Sequence, residues 1–205
     1  VGNYMAEPPG IFIGRGDHPM RGKWKPRVTA EDVILNLGKG VEEPKGNWKK
    51  IVNDQESMWL ASWMDELSQK RKYVWLSDSA GIKQERDKVK YDKAKNLAQS
   101  IEKIKDRMVK DMNSKDKKLK KIATACYLIY RTAMRVGDEK DPEEADTVGA
   151  TTLRKEHIEL TGKEIKFDFL GKDAVRWQET IPAVGHDKTF HDNLKELVSN
   201  KKDSE

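Results

Sequence analysis

The chain holds one cysteine, Cys126, in 205 residues. A single thiol excludes an internal disulfide framework and any zinc site built on several cysteines. Cys126 falls in an apolar, helix-spaced run, which predicts a buried structural thiol. Histidine is scarce as well: only His18, His157, His186 and His191 occur. His186 and His191 lack the three- or four-residue spacing that places two ligands on one helix face, so no metal is expected. No apolar run approaches the roughly 20 residues of a membrane span, and no membrane association is expected. Neither a Gly-x-Ser-x-Gly elbow nor a Gly-Lys-Ser/Thr phosphate loop is present. Val1-Gly-Asn-Tyr-Met has no charged start or apolar stretch of an export signal, so the chain reads as intracellular and soluble. There is no internal repeat and no long low-complexity tract.

Charge is abundant. Charged residues make up 37% of the chain and hydrophobic ones 36%, with a net charge of +5. That surplus favours an anionic partner only slightly. Six Trp, five Tyr and four Phe are spread along the chain, enough to place it among globular rather than disordered sequences.

The expected fold class is α+β. A small, mixed β/loop subdomain over residues 1–80 precedes a mainly helical subdomain over 81–205 that carries a β-hairpin. In the first part, Val33–Leu37 and Lys72–Leu76 read as strands. Lys50–Val52 and Met58–Trp63 flank Asn53-Asp54 and read as a hairpin. Turn residues cluster at Ser77–Gly81, where the boundary is placed. From Ile82 to Met112, Ala94, Leu97, Ala98, Ile101, Ile104 and Met108 recur at helical spacing and predict one buried face. A second helix is expected from an N-cap at Ser114 to a stop at Gly137, with Arg135 in its last turn. Its apolar face is read as Leu119, Ile122, Ala123, Cys126, Tyr127, Tyr130 and Met134. An acidic, turn-like segment, a short element at Leu153–Ile158, a hairpin with Ile165, Phe167 and Phe169 alternating inward, and a terminal helix from Asp187 complete the pattern.

Several residues can carry chemistry. Arg15, His18, Arg21, Lys23, Trp24, Lys25 and Arg27 interleave basic and aromatic groups with glycine, which suits a phosphate backbone. A solvated loop accounts for the same composition, and the residues alone leave both readings open. Lys72-Tyr73 can add an ammonium and a hydroxyl. Arg135 can donate two hydrogen bonds to a phosphate, although a bare arginine at a helix end more often complements the helix dipole. Lys172, at the hairpin tip after Gly171 and before Asp173, can reach a groove as a point charge and proton donor. Most lysines at hairpin tips are simply solvated.

Together these segments resemble the eukaryotic-type DNA topoisomerase I family, type IB. The resemblance rests on Glu7-Pro-Pro-Gly-Ile-Phe-Ile-Gly-Arg-Gly-Asp-His-Pro19, Lys72-Tyr73, Arg135-Val-Gly-Asp-Glu-Lys140, Ala145-Asp-Thr-Val-Gly149 and Phe167-Asp-Phe-Leu-Gly-Lys-Asp173, in family order. It implies an enzyme that relaxes supercoiled duplex DNA by cutting one strand through a 3′-phosphotyrosine, without metal, ATP or other cofactor. Negative charge gathers on the phosphorane and calls for arginines, and the leaving 5′ oxygen calls for a general acid. By resemblance Arg135 is one transition-state arginine and Lys172 the general acid. The resemblance likewise implies that Arg15 and Asp173 meet in the minor groove and that Lys25, Lys72, Tyr73, Lys140 and Thr147 hold the DNA backbone.

The family also requires a second arginine, a histidine and a nucleophilic tyrosine beyond the equivalent of Lys172. The last tyrosine here is Tyr130. The chain is therefore expected to be part of a longer enzyme, inactive alone, monomeric, chromosome-associated, and partnered by duplex DNA and the remainder of its own chain. Asp138, Trp177 and Ala150-Thr-Thr depart from the family's common residues and point to an archaeal or divergent source, hence nucleoid or nucleus. The alternatives are a non-catalytic duplex-DNA-binding module and a strand-exchange protein of tyrosine-recombinase type.

Overall fold

A computed structural model of the chain describes residues 8–138 and 145–205. They form an α+β fold of two compact units. The first comprises the stretch up to Gly14 with Pro19–Lys95, the second Arg15–His18 with Asn96–Glu205.

In the first unit, the short strands β1 (Gly10–Ile11) and β2 (Trp24–Lys25) pair antiparallel. A four-stranded sheet follows, built from β3 (Ile34–Asn36), β4 (Lys50–Val52), β5 (Trp59–Met64) and β6 (Arg71–Trp75), in the order β4-β3-β5-β6. Val33, Leu35, Ala61 and Trp63 are its buried centre, with Ile51, Trp48 and Val74 packed against them.

The hairpin expected between Lys50–Val52 and Met58–Trp63 does not form. β3 lies between the two strands, parallel to β4 and antiparallel to β5. The buried side chain of Asn36 is the physical reason. Its amide donates to Asp54 O (2.8 Å) and Trp59 O (3.0 Å), and its oxygen accepts from Asp54 N (2.8 Å). The turn at Asn53-Asp54 is thereby tied across the end of β3 instead of closing a two-strand ribbon.

The helix α1 (Gly81–Met112) contributes residues to both units. Among the described residues only Met108 and Met112 of this helix are buried, and Leu97 remains 54% exposed. Most of the expected buried stripe is thus uncovered. The helix α2 (Lys117–Thr132) is capped by Asp116, which accepts from Lys118 N (2.8 Å) and Leu119 N (3.2 Å). Ser114, the expected cap, instead accepts from Asp116 N. The buried face of α2 is Ala123, Thr124, Tyr127 and Leu128, a stripe rotated from the expected one, so Cys126 is exposed rather than buried.

The second unit's sheet is β7 (Ile158–Leu160), β8 (Glu164–Leu170) and β9 (Arg176–Pro182), antiparallel in chain order. Ile165, Phe167 and Phe169 alternate into the core, as the sequence pattern requires. They meet Tyr127 and Leu128 of α2 and Phe190 and Leu194 of α3 (His186–Val198). Asn193 on α3 donates to Met112 O and Thr124 Oγ1, both at 3.0 Å. That buried amide ties the last residue of α1 to the middle of α2 and of α3.

Candidate active site and nucleic-acid contacts

In the second unit, α2 ends at Thr132, well before Gly137. Ala133 takes the left-handed conformation (φ 54°) and its N–H still donates to Ile129 O. Met134 then turns into the core. Arg135 therefore lies beyond the helix, not in its last turn. The chain there is held by a different device. Ala150 N donates to Arg135 O (2.8 Å) and Thr151 N donates to Val136 O (2.7 Å). Such close backbone approach needs two facing glycines: a Cβ on Gly149 would sit 2.5 Å from Gly137 Cα. The Arg135-Val-Gly and Val-Gly149 motifs are thus a single backbone clamp, and the Arg135 side chain extends from it into solvent.

The hairpin tip follows β8. Gly171 N donates to Val175 O (2.8 Å), and Lys172–Ala174 form a tight turn with Asp173 (φ 66°) and Ala174 (φ 56°) in the left-handed region. Below the tip, Arg176 donates to both oxygens of Asp168 at 2.8 and 2.6 Å, and Gln178 adds a third bond at 3.1 Å. The Arg176 partner holds the Asp168 carboxyl down to about 2. Trp177 packs on Phe169 at 5.0 Å between centroids. The strands are braced on both faces, so Lys172 is carried on a stiff support.

Arg135 and Lys172 line one cleft of about 320 Å³, with Val148, Phe169, Asp173 and Trp177 among its walls. No tyrosine is among the described residues lining it. Arg15 forms an ion pair with Asp173 at the hairpin tip. Gly16, at φ +56°, lies so close to Ala174 that a Cβ would approach its Cβ to 2.5 Å. The Gly-Arg-Gly turn is therefore shaped to seat Arg15 on the hairpin. Thr147 is placed by its neighbours. Asp146 accepts from Arg154 at 3.2 and 2.8 Å, and Val148 N donates to Leu170 O (2.9 Å). Lys140 lies outside the described residues.

Lys25, Lys72 and Tyr73 belong to the first unit. Lys25 and Lys72 both approach Asp65, at 3.8 Å each. Tyr73, partly exposed on β6, is flanked by the rings of Trp59 (5.9 Å) and Trp75 (5.2 Å). Asp65 was not singled out by the sequence. An acid three residues before Ser68 signals a local turn, and Lys72 lies on the strand that follows it, but nothing local signals Lys25 from β2.

Two family models match the chain. The eukaryotic DNA topoisomerase I DNA-binding fragment matches residues 1–76, and the eukaryotic DNA topoisomerase I catalytic core matches residues 79–205. The chain belongs to the eukaryotic DNA topoisomerase I family. Among its relatives, DNA topoisomerase 1 alpha of Arabidopsis thaliana is 43% identical over 188 residues, covering 88% of this chain and 20% of that protein. DNA topoisomerase 1 of Drosophila melanogaster is 38% identical over 215 residues, covering 100% and 22%. DNA topoisomerase 1 of Homo sapiens is 39% identical over 212 residues, covering 98% and 27%. The chain spans between a fifth and about a quarter of the length of these relatives.

Proposed function

We propose that this chain holds duplex DNA and supplies Arg135 and Lys172 to a type IB topoisomerase reaction. The reading is carried by one observation: residues from two separate motifs, Arg135 beyond α2 and Lys172 on the β8–β9 tip, line the same cleft. In that reaction a tyrosine hydroxyl attacks a backbone phosphorus. A phosphotyrosyl bond forms at the 3′ side, the P–O5′ bond breaks, and rotation followed by the reverse attack reseals the strand. Arg135 donates to the non-bridging oxygens, where charge accumulates. Lys172 gives its proton to the departing 5′ oxygen. Arg15 and Asp173 sit beside it as a minor-groove pair, while Thr147, Lys140, Lys25, Lys72 and Tyr73 grip the backbone. Residues 1–80 serve as part of the DNA-binding region and 81–205 as the first part of the catalytic region. The second arginine, the histidine and the nucleophile come from elsewhere in the complete, chromosome-associated protein.

The test is single-turnover cleavage by the complete protein carrying Lys172→Ala. The rate should fall by about 10²–10⁴-fold while duplex affinity changes little. A substrate with sulfur bridging at the 5′ position should restore the rate, because a thiolate leaves without a proton. A small rate loss, or no rescue by sulfur, would refute the acid role. Robust relaxation by this chain alone would refute the placement of the nucleophile elsewhere.

A further inference from the structure

Asp65 follows directly on β5 and is 3% exposed. A carboxylate so covered persists only when its oxygens are satisfied. Oδ2 accepts from Ser68 N at 3.0 Å and from Ser68 Oγ at 2.6 Å. Beyond that turn, each oxygen faces a different lysine. Oδ1 is 3.8 Å from Lys25 Nζ on β2, and Oδ2 is 3.8 Å from Lys72 Nζ on β6. These separations exceed hydrogen-bonding range, so the attraction is that of charge for charge. Burial opposes ionisation of Asp65, but the Ser68 hydrogen bonds and the charges of Lys72 and Lys25 outweigh it and keep the carboxyl below its usual range.

We propose that Asp65 is a positioning residue: its fixed carboxylate gathers the ammoniums of Lys25 and Lys72 into one receptor for a backbone phosphate of duplex DNA. The proposal rests on the duplex-DNA reading above. Lys25 and Lys72 bring two ammoniums to one carboxylate, and a phosphodiester is the anionic group of duplex DNA that such a pair attracts. The Lys25 side chain is 10% exposed and that of Lys72 33%, so Lys72 offers the accessible face and Lys25 supports it from behind. Without the carboxylate, two like charges drawn toward one point repel each other, and the flexible lysine stems separate.

Simple electrostatics and positioning make opposite forecasts. Removing a negative charge should by itself tighten DNA binding. Loss of a positioning group should weaken it despite the added positive charge. The experiment measures duplex affinity of the complete protein by fluorescence anisotropy between about 50 and 200 mM salt, a range over which each phosphate contact contributes about 0.9 to the log–log slope. Wild type is compared with Asp65→Asn, Asp65→Glu and Ser68→Ala. Asp65→Asn is expected to bind more weakly, with a slope shallower by about 0.9–1.8. Asp65→Glu should recover part of the loss. Ser68→Ala, which frees the carboxylate without changing charge, should shift the slope in the same direction by less. Binding by Asp65→Asn as tight as wild type, or tighter, with an undiminished slope overturns the proposal. If Asp65→Asn does not fold, an unchanged slope for Ser68→Ala overturns it. A wild type with no salt-dependent duplex binding overturns the DNA reading itself, an outcome distinguished before any variant is measured.

Discussion

Gly149→Ala is a severe test of how Arg135 is placed. The new Cβ would lie 2.5 Å from Gly137 Cα and N and 2.7 Å from Arg135 O. All three are backbone atoms, which cannot rotate away as a side chain can. Carbon contacts settle near about 3.5–4.0 Å, so the two segments must part by about 1 Å. That displacement stretches the bonds Ala150 N→Arg135 O and Thr151 N→Val136 O, now 2.8 and 2.7 Å. Forced overpacking costs about 1–3 kcal/mol, and each weakened hydrogen bond up to about 1 kcal/mol. The sum is about 1–5 kcal/mol, at its upper end a large share of the roughly 5–15 kcal/mol that holds a domain folded. Urea unfolding of wild type and variant measures it. Gly162→Ala is the control, because a Cβ there meets nothing within 4 Å, and it should stay within about 0.5 kcal/mol of wild type. In the complete protein, a shift of about 1 Å at Arg135 should also lower the cleavage rate by about 10²-fold. A Gly149→Ala variant as stable as the Gly162→Ala control would refute the clamp.

Three further outcomes follow from the same contacts. Asn36→Ala removes three hydrogen bonds to the β4–β5 connection and should cost about 2–3 kcal/mol in urea unfolding; an unchanged midpoint would mean the loop is held by something else. Gly16→Ala combines a left-handed φ with a 2.5 Å approach to Ala174 and should destabilise the second unit by about 1–3 kcal/mol; full stability in thermal melts would contradict that fit. Tyr127 is pushed up to about 12 by burial and by its hydrogen bond to Asp187. Its folded pKa lies above the unfolded value of about 10. Its contribution is therefore complete below pH 10 and lost as the pH rises through 12. A spectrophotometric titration should show one tyrosine ionising well after the exposed ones, and Tyr127→Phe should abolish that late step. Uniform ionisation near 10 would refute the assignment.

Local pattern made much of the fold legible. Ile165, Phe167 and Phe169 alternate and are buried alternately, because a strand's side chains must point to opposite faces. The terminal helix begins and frays close to where its spacing says. The errors share a cause. Lys50–Val52 and Met58–Trp63 look like hairpin partners because they are neighbours in sequence, yet a distant Asn36 ties their turn across β3. Cys126 and Ile122 are apolar at helical spacing, yet the core selects Thr124 and Leu128 instead, since Thr124 answers Asn193. Periodicity reports that a helix has a face, not which residues the neighbours will cover.

For the candidate site, sequence alone determined the residue types and their order: an arginine before glycine, a Val-Gly pair, a lysine between Gly171 and Asp173. These sit in short runs whose chemistry is visible without a fold. Only the tertiary structure decided what they do to each other. It made Gly137 and Gly149 one clamp, put Arg135 and Lys172 on one cleft, and gave Lys25 and Lys72 a common carboxylate in Asp65. The reason is physical. A hydrogen bond or an ion pair acts over a few ångströms of space, and separation along the chain carries no record of that distance.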